Sequence, residues 1–276
     1  MEVFSQTHVV GNFFRLFTMG NLRDFLEKKY FVKIDNNYPI EKIAGDVLNL
    51  LNADQENYFD VTGFAKDFYL SSSLTKDGKN FFYQQLKSKG FFKQLNTFLY
   101  SDNFSICSWT IYIIGKFSIG ENANILETAY ETNFRITNPI LSYRCLNELS
   151  WLISKKLDKY LADLELDNSK TSKLISLYYW ETSADNSKFN ELLADKQVLN
   201  FIAPNQTLVD TEAKICDRLF AFENHITELY NSTIGNYIDR HKFEKIAEDY
   251  FATYIKTIDE EADREHQEFL KHFGEN

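Results

Sequence analysis

Phe104-Ser-Ile-Cys-Ser-Trp-Thr-Ile-Tyr-Ile-Ile-Gly115 and Pro139-Ile-Leu-Ser-Tyr-Arg-Cys-Leu-Asn-Glu-Leu-Ser150 repeat one pattern about 35 residues apart. In the first copy Ile106, Trp109, Ile113 and Phe117 fall at steps of three and four, and in the second Leu141, Cys145, Leu149 and Leu152 do the same. That spacing puts one apolar stripe on each of two α-helices. Between them, Gly120-Glu-Asn is followed by Ile125, Leu126, Ala129 and Tyr130, which supply a partner helix and complete a helix-turn-helix unit. Units of this kind bury their apolar faces by stacking, and such arrays usually bind macromolecules.

Composition extends the helical reading to the whole chain. Its 276 residues are 44% hydrophobic, enough for one large core or two modest ones. With 10 glycines and 3 prolines it falls well below the usual shares of roughly 7% and 5%. Both residues interrupt helices, so their scarcity predicts an all-α fold. Aromatic residues reach 16% of the chain, mostly Phe and Tyr, which suits wedges between helices and surfaces for a partner.

Outward from the repeats, three regions are expected. Residues 1–100 form an N-terminal helical region, with amphipathic segments over Gly11–Lys29, after Pro39, over Tyr58–Leu70, around Phe81–Lys87 and over Gly90–Tyr100. Ser71–Gly78 reads as a loop between them. Residues 101–204 hold the repeats and two further helices around Leu174–Tyr178 and Phe189–Leu193, with a polar loop over Leu164–Ser169. Residues 205–276 form an acidic helical hairpin packed on the same domain, bending near Asn231–Gly235. Its first arm carries Ile215, Leu219, Phe222, Ile226 and Leu229 at coiled-coil spacing, and its second carries Phe243, Ala247, Tyr250, Tyr254, Ile258 and Ala262.

The central stretch, roughly Asp102 to Ser154, resembles a HEAT or armadillo repeat, in which a Pro or Asp opens a helix that holds an Arg. Asn138-Pro139 and Arg144 match that pattern, whereas the first copy has Phe104 and Trp109 at the corresponding positions. The resemblance implies an irregular α-solenoid array whose concave face binds another macromolecule.

Charge and cysteine content narrow the partner and the compartment. The formal net charge is −10, and residues 101–276 carry 18 Lys+Arg against 29 Asp+Glu. An acidic chain is a poor phosphate binder, so a nucleic-acid partner is not expected and a basic protein partner is. Cys107, Cys145 and Cys216 are odd in number and form no CxxC pair, which predicts a reducing compartment. With no signal-like start and no apolar run near the roughly 20 residues that span a bilayer, a cytoplasmic protein without a membrane partner is expected.

No chemical motif emerges. Phosphate-cradling glycine loops, HExxH, GxSxG and zinc-type Cys/His spacings are absent from the sequence. The pairs His225/Glu228, His241/Glu244 and Asp263/His266 are spaced by three, as in helical di-metal sites, and carry the alternative of a metal-binding helical enzyme. Lys155, Lys156, Lys159, Lys170 and Lys173 carry a second alternative, a helical-repeat nucleic-acid binder. The leading expectation is a non-enzymatic protein-binding module without catalytic residues, cofactor or metal. In its most concrete form it is an inhibitor or immunity-type protein that masks a basic effector through Glu260, Glu261, Asp263 and Glu265. Homo-oligomerisation is a further possibility.

Overall fold

The computed structural model describes residues 58–70, 75–117, 120–134, 137–183, 186–204, 212–232, 238–253 and 264. Among them every regular element is a helix and none is a strand. In chain order these are α1 Tyr58–Leu70, α2 Lys76–Ser88, α3 Phe91–Phe98, α4 Phe104–Lys116 and α5 Gly120–Ala129, which runs on as a π-helical turn, Tyr130–Phe134. There follow α6 Pro139–Trp151, α7 Leu157–Leu166, α8 Lys170–Thr182, α9 Asn186–Ala194, α10 Lys196–Ile202, α11 Glu212–Asn231 and α12 over 240–253. The fold is all-α, as composition predicts. The segments expected before Tyr58 and most of the hairpin bend lie outside the described residues.

The described residues divide into two compact units. The first runs to Leu126 and also takes Trp151–Ile153; the second takes Glu127–Ser150 and continues from Ser154. In the first unit, α4 packs on α1 and α3. Phe82, Leu86, Phe91, Leu95, Leu99, Ile111, Ile114 and Phe117 are fully buried. Rings of Phe91, Phe92 and Phe117 meet edge-to-face at 5.2–5.8 Å between centroids, a geometry that aligns ring edge with ring face. Buried Asn122 accepts the Tyr83 hydroxyl at 3.2 Å and donates to the Ile114 carbonyl at 3.3 Å, so its polar ends are satisfied inside the core.

The sequence echo is repeated in local geometry. Helices α4 and α6 have 13 residues each. Each is opened by an asparagine: Asn103 Oδ1 accepts the Ile106 N–H at 3.1 Å, and Asn138 Oδ1 accepts the Leu141 N–H at 3.0 Å. One turn in, Cys107 donates to the Leu99 carbonyl at 3.5 Å and Ser142 to the Phe134 carbonyl at 2.7 Å, again at matching positions. The buried stripe of α4 differs from the expected one. Of the expected residues Ile113 and Phe117 are fully buried but Ile106 and Trp109 are only half-buried, and burial runs instead through Cys107, Thr110, Ile111 and Ile114. In α6 the expected Leu141, Cys145, Leu149 and Leu152 are all buried.

Element boundaries show where side-chain chemistry overrides pattern. The Ser71–Gly78 stretch expected as a loop already contains the start of α2, because Thr75 Oγ1 accepts the Gly78 N–H at 3.1 Å and caps the helix. Gly90 then makes the α2–α3 turn with φ of +84°, a backbone that glycine adopts without strain. Leu164–Leu166, expected in a loop, form the end of α7.

In the second unit the hairpin arms meet through Phe222, whose ring lies 5.7 Å from Phe243 and 5.0 Å from Phe251. Ile215, Leu219, Phe222 and Ile226 are buried along α11, and Phe243, Ala247 and Phe251 along α12. The hairpin packs on its own unit. Tyr178 of α8 donates to the Leu219 carbonyl at 2.7 Å, and Arg144 of α6 donates to Glu223 at 2.6 Å, while the Tyr143 hydroxyl donates to the same carboxylate. On α12, Arg240 reaches Asp167 at 2.7 Å, and Glu244 accepts the Thr171 N–H and hydroxyl at 2.9 Å, placing carboxylates at the N-terminus of α8.

Candidate functional site

The turn after α6 departs from what its sequence and surroundings favour. The Ser154 N–H bonds the Leu149 carbonyl at 3.0 Å, the six-to-one bond that closes a helix in the Schellman manner. Such a turn needs its penultimate residue in the left-handed region, where glycine or asparagine normally sits. Here that residue is Ile153, with φ of +53°, the one non-glycine with positive φ among the described residues. A β-branched side chain in this region costs about 1–2 kcal/mol. Burial does not offset the cost, because Ile153 is 87% exposed.

Trp151, the last residue of α6, is 70% exposed beside it. Both belong to the first unit, and so does the surface they extend. The Lys116 ammonium lies 5.3 Å from the Trp151 ring centroid and 4.8 Å from that of Tyr112. Tyr112 sits 5.6 Å from Trp109, whose Nε1 donates to Thr62 Oγ1 of α1 at 2.7 Å. Lys66 also lies 5.3 Å from the Tyr112 ring centroid and pairs with Asp67 at 2.9 Å. The result is an aromatic ridge with an ammonium held over two ring faces, each worth a fraction of a kcal/mol to about 1 kcal/mol where partly solvated.

The residues after the turn are held within the second unit. Ser154 donates to Glu127 Oε1 at 2.6 Å, and Lys156 reaches Glu127 at 3.4 Å and Glu131 at 3.2 Å, all within the second unit. Tyr160 donates to Glu131 at 2.7 Å, and this bond, ahead of Lys156, lowers the Glu131 carboxyl below its ordinary range. Glu131 stands in the π-helical turn, a distortion often found beside functional positions. Ser154 is thus anchored within the second unit.

The positions singled out from sequence fare differently. Glu260, Glu261, Asp263 and Glu265 lie outside the described residues, as do His8, His266 and His272. His225 stacks on Tyr250 at 4.9 Å, and Glu244 of the His241 pair is engaged by Thr171. Among the described residues no three His, Cys, Asp or Glu side chains gather as a metal set. Of the five lysines, Lys156 pairs with Glu127 and Glu131, Lys170 with Glu248 and Lys173 with Asp195, so much of their charge is spent inside the fold. Burial pushes the Cys107 thiol up to about 11, and burial raises Cys145 well above its ordinary value, so neither ionises near neutral pH. No described helix is long and apolar enough to cross a membrane.

Trp151 and Ile153 did not stand out in the sequence. The one signal was that Trp151 lies off the Leu141, Cys145, Leu149, Leu152 stripe and so faces away from the core. No family model matches the chain, and no curated protein or solved structure matches it significantly.

Proposed function

We propose that this chain is a non-enzymatic protein-binding module of the helical-repeat type, and that it docks its partner through Trp151 and Ile153. One observation carries the reading: an exposed isoleucine held in a left-handed turn beside an exposed tryptophan, where both backbone and hydration energetics favour a different residue. Local rules are broken in folded proteins chiefly where function requires it. Tryptophan is also the side chain most enriched among interface hot spots.

The test is a comparison of wild type with Trp151→Ala, each purified from the native host and followed by mass spectrometry and light scattering. A stoichiometric partner retained by wild type and lost by the variant is the expected result. Recovery of the same proteins in the same amounts by both would remove the ridge from the interface. Because Trp151 is mostly solvent-exposed, the substitution should leave stability within about 0.5 kcal/mol, as for other surface changes.

The more specific reading, an inhibitor that masks a basic effector, rests on the balance of 18 basic to 29 acidic residues over 101–276. Charge reversal at Glu260, Glu261, Asp263 and Glu265 should then slow association with that effector and flatten its salt dependence. Unchanged kinetics would exclude these side chains from the interface.

A further inference from the structure

We draw no further inference here: the strongest candidate, the exposed apolar patch of Trp151 and Ile153 at the turn after α6, carries nothing beyond the docking reading above, because nothing in the structure shows what covers it.

Discussion

At Ile153 the free energy of one residue divides into parts that point in opposite directions. Its left-handed backbone costs about 1–2 kcal/mol, and its 87% exposure returns almost nothing from burial. Asparagine tolerates that backbone without the unfolded-state entropy that glycine adds. Ile153→Asn should therefore raise stability by about 1 kcal/mol and weaken partner binding together. Denaturant unfolding checks the first half, and a midpoint that fails to rise would show that the turn carries no strain. The position was illegible in the sequence because Trp-Leu-Ile-Ser contains no Gly or Asn to mark a left-handed residue. Only the backbone angle exposes the conflict. Thr75 shows the same limit on the local scale, since its capping bond extends α2 into a stretch whose Ser, Thr, Asp and Gly content reads as loop.

Helices were legible where a single stripe decides burial. The α11 seam is buried at Ile215, Leu219, Phe222 and Ile226 as its spacing predicts, but at its end Tyr230 is buried in place of Leu229; in α12 Phe243 and Ala247 are buried and Phe251 takes the place expected for Tyr250, while Tyr254, Ile258 and Ala262 lie outside the described residues. Tyr250 is half-buried instead, its ring 4.9 Å from His225 and 5.3 Å from Phe222. What spacing does not reveal is the polar fastening between elements. Glu223 accepts from both Tyr143 and Arg144, with Arg144 27% and Glu223 19% exposed. Removing it by Glu223→Ala takes the carboxylate from a half-buried guanidinium and should cost about 2 kcal/mol, below the full penalty of a buried pair because water reaches both groups. Glu244→Ala, at the N-terminus of α8, should cost only about 1 kcal/mol. Chemical denaturation orders the two, and an equal or reversed order would show that the Arg144 contact is not the stronger fastening. Replacing both partners, Arg144→Met with Glu223→Leu, should recover most of the first loss.

Over the whole molecule these fastenings make stability depend on pH in a predictable direction. Burial opposes ionisation of Asp167, but the Ser169 N–H, the Ser172 hydroxyl and Arg240 outweigh it and hold the carboxyl down to about 2. An ordinary Asp titrates at 3.8, so the folded state binds this proton less readily. The stability it contributes is present above pH 3.8 and is lost as pH falls through about 2. Glu131 and Asp195 are also lowered, by the Tyr160 hydroxyl and by the Gln197 N–H respectively, and add to the same acid loss below the carboxylate range. Glu181 runs the other way: burial first, then Glu223, raises it, so protonation between its unfolded and folded values favours the native state. Stability should thus rise slightly as pH falls from neutrality toward that window and then decline toward pH 2. In Asp167→Asn the acid decline should become shallower because one of its proton-linked contacts is gone. Urea titrations at stepped pH give the slope, and an unchanged slope in the variant would remove the Asp167–Arg240 clasp from the acid response.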